Sequence, residues 1–185
     1  MRRNFFTNIS LLIFLNLLVK PFWIFGIDRT VQNVVGTQEY GLYFSLFNFS
    51  ILLNILLDLG INNYNNRNIA QNGQMLSKSL SGIIGLKLVL AVLYALVSIV
   101  LAYFIGYSSR QFYILFYLIL NQFIASFILY LRSNISGLHL FKTDSILSVL
   151  DRFLMIIICG ILLWGGISNS PFKIEWFVYA QTLAY

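Results

Sequence analysis

GTQEYGLYFSLFNFSILLNILLDLGINNYNNRNIA, residues Gly36 to Ala70, is the stretch whose reading decides the fold. From Tyr40 to Ile61 it is apolar enough, and long enough, for one membrane-crossing helix. It is not uniformly apolar. Ser50, Asn54, Asp58 and Asn62 recur every four residues, with Ile, Leu and Gly between them. On an α-helix such positions share a face, so the spacing predicts a single, slowly drifting polar stripe. A carboxylate on that stripe is costly in hydrocarbon and implies a partner or a function.

The rest of the chain agrees with a membrane setting. Of its 185 residues, 59% are hydrophobic and only 10% are charged, against about 25% charged in a soluble domain. The class this implies is all-α: a polytopic transmembrane helix bundle. A net charge of +6 would suggest nucleic acid in a soluble protein. Here the basic residues flank or sit within apolar runs and read as topology signals, so no nucleic-acid partner is expected. The single cysteine, Cys159, lies in the run MIIICGILLW, where an inert buried thiol is the ordinary reading.

Spans are predicted at about residues 8–27, 40–61, 80–107, 111–131, 144–164 and 172–185. The first follows Arg2 and Arg3, and no small-residue cleavage site comes after it, so it is read as retained. Lys20-Pro21 lies inside it and predicts a kink. Asn16, Lys20 and Trp23 share one face. Lys20 either snorkels to the outer headgroups or faces an internal cavity; both readings stand. A polar segment from Asp28 to Glu39 follows. The Asn-rich stretch after Ile61, carrying Arg67 and Lys78, reads as a water-exposed loop with room for a short helical continuation.

Lys87 opens a row with Ala91, Ala95, Ser98 and Ala102, whose small side chains predict close helix packing. Lys87 itself is expected to snorkel to the cytoplasmic face. Asn121, Gln122 and Ser126 are expected to bond neighbouring helices, and the lone His139 to be solvated. Asp144, Ser148 and Asp151 share a face, and Arg152 follows directly. Adjacent helical residues diverge by about 100°, so Asp151 and Arg152 are expected to seek other partners. Gly165, Gly166 and Pro171 predict a turn, with Asn169 or Ser170 capping the next helix. From Ile174 to Tyr185 there is roughly 18 Å of helix against a ~30 Å core, so the sequence predicts a chain cut inside a membrane helix. With the N-terminus inside, Arg2, Arg3, Arg67, Lys78, Arg132 and Lys142 fall on the cytoplasmic side and Arg29, Arg110 and Lys173 outside, as the positive-inside rule asks.

One His and one Cys cannot make a zinc site, and no P-loop or glycine-rich nucleotide fingerprint occurs. No metal, no cofactor and no enzymatic reaction is therefore expected. The spans instead carry Lys20, Asp58, Lys87, Asp151 and Arg152. Mixed charges in a wet cavity suit a substrate that is both anionic and polar, such as a phosphorylated sugar lipid. Chemistry alone does not separate this from a drug or ion transporter.

GTQEYGLYFSLFNFSILLNILLDLG, placed after a first helix, resembles the start of the bacterial O-antigen and polysaccharide repeat-unit flippases of the multidrug/oligosaccharidyl-lipid/polysaccharide exporter superfamily. The matching positions are Gly36, Glu39-Tyr40-Gly41 and Leu57-Asp58-Leu59-Gly60. Arg67 before Asn68-Ile69-Ala70, Asp151-Arg152 within LRSNISGLHLFKTDSILSVLDRFL, and the AQTLAY ending extend the likeness over nearly the whole chain.

The resemblance implies an N-terminal six-helix lobe, its sixth helix incomplete, of a two-lobe alternating-access transporter in the bacterial inner membrane, N-terminus cytoplasmic. Its substrate would be a polyprenyl-pyrophosphate-linked oligosaccharide. Its other partners would be the lipid bilayer and polysaccharide polymerase machinery. Arg29, Lys20 and Arg152 would contact the anion, and Asn54 and Ser50 would line the cavity. Asp58, Asp151 and Lys87 would form a gating or polar network. Beside these stands a plainer reading, in which Asp58 caps or pairs at a helix end and Asp151 and Arg152 sit among headgroups. An antiporter for cationic drugs and a non-transporting scaffold subunit are the alternative functions.

Overall fold

The computed structural model describes residues 2–165 and 171–185 and divides into two compact units. One comprises the chain up to Gly41 together with Phe141–Tyr185; the other is Leu42–Leu140. All regular structure among the described residues is helical.

In the first unit, α1 (Arg2–Phe22) runs without interruption into a π-helical segment (Trp23–Asp28) and then α2 (Arg29–Val35). Pro21 lies inside α1. It cannot donate to the carbonyl four residues back, and the wider winding follows directly after it. The helix does not end near Ile27, as the sequence suggested. It carries through Asp28 and Arg29 and stops at Gly36. The reason is a buried stripe: Trp23, Ile27 and Val31, spaced four apart, all face inward. α7 (Phe141–Trp164) packs along α1 and against α8 (Ile174–Ala184). Its inward face supplies Met155 and Cys159, and α8 supplies Ile174, Phe177 and Val178. Trp23 and Phe177 stack nearly parallel, ring centres 5.8 Å apart. The turn expected at Gly166 and the caps expected at Asn169 or Ser170 lie outside the described residues.

In the second unit the polar stripe does not exist as a continuous helix face. α3 (Thr37–Leu52) ends, a short 3-10 turn occupies Asn54–Leu57, and α4 (Ile61–Gln71) restarts at a 46° bend. Leu59 and Gly60 both take left-handed conformations, at φ 44° and 85°. Glycine accepts this readily and leucine does not, so the break sits where only one of its two residues is suited to it. Asp58 Oδ1 accepts from the Asn62 backbone N–H at 3.1 Å, tying down the first turn of α4.

α5 (Met75–Ile105) and α6 (Ser109–Gly137) are the long helices of this unit. Gly106, at φ 83°, ends α5, and Tyr107 N–H reaches back to the Ala102 carbonyl at 3.2 Å. Two residues later Ser108 starts α6 with a capping box: its Oγ accepts from Gln111 N–H, and Gln111 Oε1 accepts from Ser108 N–H at 2.7 Å. The core gathers Leu57, Tyr94, Ala102, Leu115 and Ile119. Ala91 and Ala95 pack against it, in keeping with the expected small-residue row. α4 lies on α6, where Asn65 Nδ2 donates to Ser133 Oγ at 2.9 Å and to Asn134 Oδ1.

Among the described residues, three helices are long and apolar enough to cross a bilayer: Leu76–Ile105, Ser109–Gly137 and Phe141–Trp164. The bent pair Thr37–Leu52 and Asn54–Gln71 makes a fourth if it is one broken span.

α4 meets α6 so closely at Gly137 that a Cβ there would lie 2.9 Å from Ile69 Cβ and 3.1 Å from the Asn66 carbonyl oxygen. Neither is a flexible chain end. Gly137→Ala should therefore lower stability by about 1–3 kcal/mol. Gly82→Ala, in α5 with nothing within 4 Å of the added carbon, should be neutral or stabilise by up to about 1 kcal/mol. Thermal melts of the purified variants check both; a Gly137→Ala melt at or above that of Gly82→Ala would refute the close approach.

Candidate functional site

Each unit holds a cluster of charged and polar groups, and each cluster grows from an irregularity in its helices.

In the second unit the irregularity is the break at residues 53–60. It turns Leu57 into the core and leaves Asp58 at its edge. Lys87 lies opposite, on α5, and is 2% exposed. It does not snorkel to a membrane face, contrary to the sequence expectation. Its ammonium donates to the carbonyls of Leu57 and Ser126, each at 3.2 Å, and to Ser126 Oγ at 2.9 Å. Asp58 Oδ1 stands 3.6 Å away. The face of Tyr130 lies 5.9 Å from the ammonium. The break and α6 supply, at close range, the solvation that a headgroup would otherwise provide.

The other members of the expected stripe go separate ways. Asn54 Nδ2 donates to Gln122 Oε1 at 2.8 Å, bridging to α6. Ser50 is fully buried, and its hydroxyl donates to the Phe47 carbonyl at 2.7 Å within its own helix. Its carbonyl accepts from Tyr94 OH at 2.9 Å. A concavity of about 440 Å³ opens beside the break, lined by Asn54, Ile55, Asp58, Leu59 and Gly60. Asn54 and Asp58 are its polar groups.

In the first unit the irregularity is the π-helical segment after Pro21. It carries Trp23 and Asp28. Arg152, from α7, places its guanidinium 5.6 Å from the centre of the Trp23 ring, whose neighbour Phe177 stacks at 5.8 Å. Arg152 Nε also lies 3.4 Å from Asp151 Oδ2. The two neighbours thus do pair, against the expectation from their diverging Cβ directions. Nε is the guanidinium nitrogen nearest the flexible three-carbon stem, so the arginine can fold back onto its neighbour while the rest of the planar group lies near Trp23. Both remain partly exposed, Arg152 at 29% and Asp151 at 28%. Tyr40 OH bonds both oxygens of Asp28 at 2.9 Å. Asn16 Nδ2 bridges to Ser148 Oγ at 3.4 Å, joining α1 to α7.

Lys20 and Arg29 are exposed on the same helical run, before and after the π-helical segment, and take no part in the Arg152–Trp23 contact. Of the expected gating network, Asp58 and Lys87 come together in one unit, while Asp151 pairs with Arg152 in the other. Sequence reasoning passed over three groups. Tyr40 was read only as part of a motif, and Tyr130 gave no polar signal inside its apolar run. Asn65 was hidden in a stretch read as loop, although Asn65 and Ile69, four apart and both buried, carry the helical period that would have found it. Among the described residues no group of three or more His, Cys, Asp or Glu is placed to hold a metal ion.

A family model described as polysaccharide biosynthesis protein matches residues 5–185. No curated protein and no solved structure matches the chain.

The stacked arrangement of Arg152, Trp23 and Phe177 makes a measurable coupling. In a double-mutant cycle with Arg152→Ala and Trp23→Leu, the thermal stabilities should be non-additive by about 1 kcal/mol, the size of a partly desolvated cation–π contact. Additivity within about 0.3 kcal/mol would mean that the two side chains do not interact.

Proposed function

This chain belongs to the polysaccharide biosynthesis protein family, and on that premise we propose that it works as part of a flippase for polyprenyl-pyrophosphate-linked oligosaccharides. In this reading the chain is the N-terminal six-helix lobe of a two-lobe, alternating-access transporter of the bacterial inner membrane, with its N-terminus in the cytoplasm. It delivers repeat units to polysaccharide polymerase machinery, as in O-antigen assembly, and makes or breaks no bond itself.

A lipid-linked saccharide has an apolar tail that lies in the bilayer unaided. Its sugar and pyrophosphate do not, because polar and charged groups lose their water there. The protein must offer a substitute. Arg152 is the observation that carries this reading: a partly exposed guanidinium on a helix apolar enough to cross a membrane. Asp151 engages its Nε, and a guanidinium has five N–H donors in a fork that matches phosphate oxygens. Trp23 lies against that fork, its ring centre 5.6 Å from the guanidinium carbon. Lys20 and Arg29, exposed along the neighbouring helical run, are the further anion contacts. Asn54 and Asp58 at the open concavity present an amide and a carboxylate, which suit sugar hydroxyls. Ser50 has weaker support as a substrate contact, since its hydroxyl is buried and already donates within its helix. An antiporter for cationic drugs would need Asp58 for its cargo, and Lys87 lies 3.6 Å from that carboxylate.

The test is complementation of a strain lacking the corresponding full-length gene, with surface polysaccharide as the readout. Arg152→Ala should reduce it by roughly tenfold or more, because a hydrogen bond to a charged group is worth about 1.5–3 kcal/mol. Arg152→Lys should fall between Arg152→Ala and the wild type, keeping the charge and losing the fork. Lys20→Ala and Arg29→Ala should have smaller, cumulative effects. Unchanged surface polysaccharide in the triple alanine variant, at normal protein level, would rule the anion path out.

A further inference from the structure

Four oxygens converge on the Lys87 ammonium. Leu57 O and Ser126 O lie at 3.2 Å, Ser126 Oγ at 2.9 Å and Asp58 Oδ1 at 3.6 Å. Main-chain carbonyls freed by an unwound helix, with a hydroxyl and a single carboxylate, are the ligand types by which membrane proteins hold free monovalent cations. The Leu57 carbonyl is available because of the break. Its ordinary helical partner, the Ile61 N–H, instead donates to the Asp58 carbonyl at 2.8 Å. The Ser126 hydroxyl lies 3.3 Å from the same Leu57 carbonyl, so two walls of the cage are joined to each other as well as to the lysine. The carboxylate is 33% exposed and lines the 440 Å³ concavity, whereas the ammonium is sealed at 2%.

We propose that this cage is a monovalent-cation site and that Lys87 is its resident cation, tethered to the chain. The lysine stem enters from α5, and the ammonium stands where a free sodium or small ammonium ion would. A lone carboxylate and inward-pointing carbonyls leave the cage net negative without it. The wild-type protein therefore takes up no external cation at this place, and deletion of the lysine end exposes a site that does. This holds whatever substrate the protein moves.

Chemical rescue tests it on the purified full-length protein. Melts are recorded in choline, sodium or ethylammonium chloride at one ionic strength. Lys87→Ala should melt on the order of 5 °C below wild type in choline. It should recover at least half of that loss in ~100 mM sodium or ethylammonium, which bind the folded form alone. Wild type should melt alike in all three. Lys87→Met fills the path of the stem without a charge, and should melt below wild type in every salt, because removal of one partner strands the other. Folding of Lys87→Ala only in sodium or ethylammonium is the same result in stronger form. A Lys87→Ala variant that melts equally, or fails to fold equally, in all three salts overturns the proposal. So does a Lys87→Met melt at the wild-type temperature, or a wild type stabilised by sodium over choline.

Discussion

An ammonium inside an apolar helix bundle must be solvated by the protein itself, and the second unit is arranged around meeting that demand at Lys87. Three elements contribute: the 3-10 turn brings the Leu57 carbonyl, the turn after it brings Asp58, and α6 brings Ser126. The first two could not do so if Tyr40–Ile61 were one straight helix. A regular helix would turn the Leu57 carbonyl into its own ladder and carry Asp58 along on the Ser50–Asn54 face. The break is therefore not a defect next to the charge. It is the source of two of the oxygens that make the charge tolerable, and the ammonium in turn joins the Ser126 hydroxyl as a donor to the Leu57 carbonyl that the helix ladder has released.

The first unit solves a related problem by other means. Pro21 withdraws one donor from the ladder, and the π-helical segment after it turns Trp23 inward onto Phe177 and leaves Asp28 in reach of Tyr40. The result is a platform: an indole that packs against both an aromatic ring and a guanidinium. Arg152 is held by a ring face and by its own neighbour's carboxylate, both of which leave part of it exposed. A guanidinium sheds water more easily than an ammonium, so it can be kept in this half-solvated state where a lysine would be drawn toward water or into a full cage.

The sequence made the class of fold plain. Composition and apolar runs predict helices that cross a membrane, and α5, α6 and α7 are long and apolar enough to do so. The row from Ala91 to Ala102 predicts close packing and packs. The misreadings share a cause. Periodicity assigns a face to each residue only while the helix is regular, and the apolar pattern runs on through Leu53, Ile55, Leu56, Leu57 and Leu59 without registering that the backbone has left the α region. Gly60 two residues after Asp58 was the local warning, outweighed by the apolar run around it. Asp151 and Arg152 were misjudged because the reasoning used Cβ directions, whereas a long side chain can return along its own stem. Lys87 was misjudged because its partners, Leu57 and Ser126, are 30 and 39 residues away, and one is a main-chain carbonyl that carries no side-chain signal at all.

The two clusters separate what a charge in a membrane protein can be for. Lys87 has its donors matched by four oxygens at close range, and almost none of its surface is open. To engage anything else it would have to abandon a cage that nothing outside replaces, and such a group is fitted to hold a structure in place. Arg152 has the Asp151 carboxylate, a hydrogen bond with Tyr185, one ring face and a side chain still 29% exposed. A phosphate arriving there would add bonds to the guanidinium without first breaking those that position it. Desolvation has already been met in part by the indole, so the gain from a new anionic partner is not offset by the loss of a full water shell. By that physical criterion, the degree to which a buried charge is already satisfied, a helix that carries a charge can be read as scaffold or as binding surface. The same criterion assigns Asp58 an intermediate place: one oxygen is committed to Lys87 and to the Asn62 N–H, while the side chain is still 33% exposed and lines the concavity.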